Sequence, residues 1–207
     1  MMHIPTAPSA ELEILSFLEA LQEEQTLSHD YDHEAWLYVP CYYAEYRYIL
    51  GTKGKKPLIC IGVNPSTARP GDLDNTLKSV SRIAAGNGFD SFIMFNVYAQ
   101  RATSPDDMDT ERNAFMHAEN MHAFEWILAH AGEAPAIWAA WGAVIEKRRY
   151  LPDCVRDMIT IGQQYGAKWY TAGARSKQKG HPHHPLYLKK DSVLDDFSDI
   201  QAYLNTL

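Results

Sequence analysis

Residues 58–63 form an unbroken apolar run, Leu58-Ile59-Cys60-Ile61-Gly62-Val63, which stops at Asn64-Pro65-Ser66. A run that short and continuous reads as a strand covered on both faces, which requires a sheet packed between layers of helix. The chain then repeats the theme. Further strands are predicted over 91–98, 136–141 and 168–172, and helices over 77–85, 110–131 and 153–165. The longest helix carries Ala123, Phe124, Ile127 and Leu128 on its apolar side, with Gly132 just past its end. Strands alternating with helices imply right-handed crossovers. The expected fold is α/β, a three-layer sandwich around a mostly parallel four-stranded central sheet.

The flanks are less regular. A helix is predicted over 11–25, with Ile14, Leu15, Leu18 and Leu21 on one face. A polar patch over 28–34 follows, then an aromatic stretch over 38–50 that reads as one or two strands of an antiparallel flap. Residues 51–56 form a turn, and 195–204 a closing helix. A length of 207 residues suits a single domain, with the helix and flap in 1–50 and the core in 57–190.

Composition narrows the function classes. No stretch approaches the ~18 apolar residues of a membrane helix, and the N-terminus lacks the basic head and apolar run of a signal peptide, so a cytoplasmic protein without a membrane partner is expected. Cys41, Cys60 and Cys154 are odd in number and contain no paired spacing. They argue against a disulfide framework and against a cysteine-held metal or cluster; Cys60 reads as a small buried hydrophobe. The net charge of −7 repels nucleic acid in bulk, yet the segment 147–190 has ten Lys and Arg against Asp153 and Asp157. That segment is either a solvated surface or a local basic face able to meet phosphate.

In an open parallel sheet, ligands bind outside the carboxyl ends of the strands. The first of these ends is Gly62-Val63-Asn64-Pro65-Ser66. Gly62 permits close approach, and Pro65 biases Asn64 toward an extended backbone. The Asn64 amide offers a donor and an acceptor to a water or a base edge; the alternative is a strand-end turn with an Asx cap. The second end places Asn96 directly after apolar residues, where a buried amide needs a loop or a ligand as partner. Arg101 follows, suited to phosphate or carboxylate or simply solvated. At the third end, Trp141 serves core packing or stacks on a ligand. The fourth leads to Gly180-His181-Pro182-His183-His184-Pro185. The prolines break metal-ligand spacing, and a neutral histidine donating to a developing anion fits better. Asp72 and Asp74 are a loop pair, with Asp74 or Asn75 expected to cap the next helix and Asp72 left open.

The ordered set Gly62-Val63-Asn64-Pro65-Ser66, Phe95-Asn96, Ala140-Trp141-Gly142 and His181-Pro182 resembles the uracil-DNA glycosylase superfamily. The resemblance implies a glycosylase-like fold in which Asn64 positions the attacking water and Asn96 reads a pyrimidine edge. His181-Pro182 would reach the base carbonyl and the nucleic-acid backbone. The chain departs from that superfamily in continuing His183-His184-Pro185-Leu186 and in having no match to the aspartate of its most active branch. A closer resemblance, over about 47–187, is to a bacterial domain family of unknown function recognisable by its Asn-Pro-Ser-Thr-Ala motif, here Asn64 to Ala68.

The resulting expectation is a glycosylase-like protein that binds a nucleobase, nucleotide or nucleic acid and hydrolyses an N-glycosidic bond, without a cofactor or metal. Asn64 and His181 are the catalytic candidates. Gly62, Pro65, Ser66, Asn96, Arg101, Trp141 and His184 would contact substrate, and Arg175, Lys177 and Lys179 the phosphate backbone. The alternatives are a non-catalytic binder of the same ligands and a metal-assisted hydrolase using Asp72 with the histidines.

Overall fold

The computed structural model describes residues 2–27 and 30–207. Helix α1 spans Phe17–Thr26, and strands β1 and β2 span Trp36–Val39 and Ile49–Thr52. The core then runs β3 (Pro57–Gly62), α2 (Asn75–Gly86), β4 (Ser91–Asn96), α3 (Ala114–His130), β5 (Ala136–Ala139), α4 (Leu151–Gln164) and β6 (Lys168–Ala172). Strand β7 (Leu194–Asp196) and helix α5 (Ile200–Leu204) close the chain. Among the described residues no helix is long and apolar enough to cross a membrane.

The sheet is larger and more mixed than the sequence suggested. It has seven strands in the order β1-β2-β4-β3-β5-β6-β7. The four inner strands β4, β3, β5 and β6 pair in parallel. The expected flap is not separate: β1 and β2 form an antiparallel hairpin whose second strand pairs antiparallel with β4. At the other edge, β7 runs antiparallel to β6. The closing helix is therefore shorter than expected, because residues 194–196 continue the sheet instead.

The period of two along each strand sorts the core into two layers. Ile59 and Ile61 of β3 pack with Ile93, Phe95, Phe124, Ile127 and Val155 on the face covered by α1, α3 and α4. Leu58 and Cys60 pack with Met94, Leu77, Val80 and Ile83 on the face covered by α2. Each such aliphatic side chain contributes about 1.5–3 kcal/mol of transfer free energy when fully buried. Cys60 and Cys154 sit in these layers as buried free thiols.

The N-terminal helix starts later than expected. Ser16 accepts from the Glu19 N–H and Glu19 accepts from the Ser16 N–H, a reciprocal capping box that sets the first turn. With that start the buried face is Phe17, Ala20, Leu21 and Glu24, while Leu18 is left exposed. The polar patch at 28–34 falls partly outside the described residues; within it, Glu34 and Ala35 N–H groups bond the Asp32 carboxylate.

The connection β3–α2–β4 moves one way along the sheet and passes over one face. The connections through α3 and α4 move the other way over the opposite face. The direction reverses between β3 and β5. An open parallel sheet has a crevice at such a reversal, beyond the carboxyl ends of the two strands.

Candidate functional site

A cleft of about 760 Å³ occupies that crevice. Its walls come from every inner strand end: Gly62, Asn64 and Ser66 after β3, Asn96 at the end of β4, Trp141 after β5, and His181 and His184 beyond β6. Residues far apart in sequence and picked out by type alone thus share one cavity. Pro65, Arg101, Arg175, Lys177 and Lys179 do not line it.

The turn after β3 is held from behind. Asn64 Nδ2 donates to the carbonyl of Ala102 at 2.7 Å and to that of Pro65 at 3.1 Å, and Ala102 N–H returns a bond to Pro65 O at 2.9 Å. The amide is therefore fixed by its nitrogen, and Oδ1 is left as its acceptor. Gly62 is required by space. A Cβ there would stand 2.6 Å from Met94 Cε and 3.2 Å from the Asn96 amide. Asn96 is 1% exposed, and its amide is oriented with Nδ2 toward the carbonyls of Asn64 and Phe95, 3.2 and 3.3 Å away, because the opposite orientation sets oxygen against oxygen.

Arg101 turns away from the cleft and is fully buried. Its Nη1 donates to the carbonyl of Ser66, and to that of Ala68 at 3.4 Å; its Nη2 donates to Tyr38 Oη at 2.9 Å, and its guanidinium lies 4.3 Å from the centre of the Tyr43 ring. It is a brace for the turn, which replaces the expected contact with substrate. Arg47, which sequence reasoning passed over, donates to the same Ala68 carbonyl at 3.1 Å and also lines the cleft. Burial, with the Arg101 charge beside it, presses the Arg47 pKa down to about 9, so it stays protonated at neutral pH.

Across the cleft, His181 is 4% exposed. Trp141 Nε1–H donates to Tyr203 Oη at 2.9 Å, and Tyr203 Oη lies 3.0 Å from His181 Nδ1. An indole can only donate, so the tyrosine oxygen accepts from Trp141. With the Tyr203 proton given to Nδ1, a neutral His181 carries its own proton on Nε2. The Nε2 atom lies 3.8 Å from Glu146 Oε2, beyond hydrogen-bond length, while the other oxygen of Glu146 pairs with Lys179. Burial lowers the His181 pKa, and the Glu146 charge only partly opposes it. Trp141 is fully buried and stacks on Tyr203 at 6.3 Å, so most of its ring serves the core.

His184 is also held neutral by burial, and its Nδ1 accepts the Leu186 N–H at 3.3 Å. That loop is tied to α2 where Ser79 Oγ donates to Pro185 O at 2.8 Å. Asp74 lines the cleft as the N-cap of α2, its Oδ1 accepting the Leu77 N–H at 2.9 Å. Asp72 lies outside the cleft beside Arg69, 3.8 Å from its Nε. Among the described residues no three His, Cys, Asp or Glu side chains are grouped as a metal would need, so Asp72 and the histidines are not brought together.

Part of the basic segment is paired, three of its cations with acids outside the segment. Lys147 pairs with Asp106, Arg175 with Asp199, and Lys179 with Glu146, while Arg156 pairs with Asp153. Arg148 spends its guanidinium on the carbonyls of Asp106, Met108 and Asp109. Lys177 remains exposed.

The helices, the seven-stranded mixed sheet and the strand-end cleft define an α/β architecture. The chain belongs to the family of proteins of unknown function DUF1643, whose model matches residues 47–186. That span differs by one residue from the stretch over which a domain family of unknown function was expected. It starts at Arg47 and ends short of Tyr203. No curated protein and no solved structure matches the chain significantly.

Proposed function

We propose that the cleft binds a nucleobase on its sugar and hydrolyses the N-glycosidic bond. One observation carries the reading: Asn64, Asn96 and His181, from three strand ends, line a single cleft. In this reading His181, with Nδ1 on Tyr203, serves as a neutral Nε2–H donor. Asn96 presents an amide to the base edge. Asn64 Oδ1, its nitrogen already engaged, accepts a hydrogen bond from a water and so orients the water's lone pair toward the anomeric carbon. As the glycosidic bond breaks, its electron pair goes to the base, and His181 Nε2–H stabilises the resulting anion on a base oxygen; the water oxygen bonds the anomeric carbon, and the proton it sheds ends on the departed base. A buried neutral imidazole is suited to that task, as a donor aimed at developing charge is most effective where its surroundings are shielded from water.

The test is release of free base from uracil- and mismatch-containing DNA, nucleosides and nucleotides, separated by chromatography. Asn64→Ala is expected to lower the rate ~100-fold or more. Release at the wild-type rate would remove Asn64 from the chemistry. A non-catalytic binder of the same ligands is favoured by a different observation: among the described residues the one carboxylate lining the cleft is Asp74, and its Oδ1 caps α2. Saturable binding without base release would select that reading.

A further inference from the structure

One wall of the cleft carries more cationic than anionic charge. Arg47 is 1% exposed and lines the cavity; its Nη1 is used by Ala68 O, and its Nε has no partner. Arg101 lies behind it, equally buried, with its Nε also unpartnered. Neither guanidinium forms an ion pair with any described residue. Buried cations of this kind are costly unless an anion joins them.

The adjoining wall is the start of α2. Asn75 and Thr76 line the cleft, and as the first residues of a 12-residue helix their N–H groups have no intrahelical acceptor. The helix dipole adds positive potential there. The nearest carboxylate, Asp74, has one oxygen on the Leu77 N–H, and it offsets one charge where two guanidiniums and a helix terminus act together. Serine and threonine side chains complete the rim at Ser66, Thr67 and Thr76.

We propose that this end of the cleft is an anion subsite that takes the 5′-phosphate of a free nucleoside monophosphate, while the base lies toward Asn96. The assignment of the base end rests on the proposed function above. A free nucleotide is favoured over a strand because half of the ten cations that would follow a strand's phosphates are already engaged: Arg175, Lys179, Lys147 and Arg156 are in ion pairs and Arg148 is on backbone carbonyls. The net charge of −7 acts in the same sense.

Calorimetry with the four deoxynucleoside 5′-monophosphates, their nucleosides, inorganic phosphate and a short single-stranded oligonucleotide tests this. At least one monophosphate should bind ~10-fold or more tighter than its nucleoside. Arg47→Gln should erase that preference. Because Arg47 also braces the turn, Thr76→Glu provides a second variant: an acid in the first turn suits the helix yet repels phosphate, so it should erase the preference with the thermal midpoint retained. Equal binding of nucleotide and nucleoside, unchanged by Thr76→Glu, would overturn the phosphate subsite and leave the base reading standing. Phosphate bound with no preference for any nucleotide would support the anion subsite and sink the base reading. An oligonucleotide bound more tightly than every mononucleotide, with steep salt dependence, would overturn the choice of a free nucleotide.

Discussion

Replacing Tyr203 by Phe removes one oxygen from the centre of the Trp141–Tyr203–His181 chain. Two bonds of 2.9 and 3.0 Å are lost, and the indole N–H of a fully buried tryptophan is left without an acceptor. The unpaired donor costs about 1–3 kcal/mol. With the tyrosine–histidine bond at about 1 kcal/mol, a loss of about 2–4 kcal/mol is expected, which lowers the thermal midpoint of a chain this size by roughly 4–16 °C. Stability alone does not separate a packing role from a positioning role, so the decisive assay is the histidine ring itself. Nitrogen NMR of the wild-type protein should show His181 protonated on Nε2 with a bare Nδ1. In Tyr203→Phe, the donor that favours the neutral ring is gone. His181 should then populate both tautomers, and its pKa should rise toward the ordinary value. A wild-type His181 protonated on Nδ1 would refute the assigned chain of donors, as would a Tyr203→Phe spectrum identical to wild type.

Other outcomes follow from the same structure. His117, His181 and His184 are all held below the ordinary histidine pKa by burial. The unfolded chain therefore binds more protons between those folded values and about 6.5, so stability is full above that pH and falls as pH drops through the window; a urea midpoint unchanged from pH 7 to 5 would contradict it. Asp74→Ala should cost about 1 kcal/mol through loss of the α2 cap, whereas Asp74→Asn should be near neutral, as read by denaturant titration. Gly62→Ala should displace Met94 and press on Asn96, destabilising by about 1–2 kcal/mol, and a midpoint equal to wild type would show that the space is larger than 2.6 Å implies.

The inner strands were legible because continuous apolar runs and helical periodicity report burial directly: 168–172 was placed without error, and 58–63 to within one residue at each end. The edges were not. Residues 194–196 are strand because they pair with β6, and β1 and β2 join the sheet through β4; both are decided by a neighbour that local pattern does not name. The site divides similarly. Strand-end position picked out Gly62, Asn64, Asn96, Trp141 and His181, all on one cleft. Arg101 misled because its burial depends on Tyr38 and two carbonyls of another loop. Arg47 sits in an aromatic stretch that signals a strand rather than a site, and Tyr203 reaches His181 from a helix at the far end of the chain. The charge of 147–190 was only partly legible for the same reason, since Asp106, Glu146 and Asp199 pair with three of its cations from outside the segment.

The central claim is that one cleft holds a base between Asn96 and His181. It is tested most directly by following the Asn96 side-chain amide and the His181 Nε2–H by NMR while nucleotides and nucleosides are added. The account predicts that both signals shift together along one saturation curve, and that Asn96→Ala abolishes the His181 response. Saturable binding that moves neither signal would place the ligand elsewhere and contradict the account.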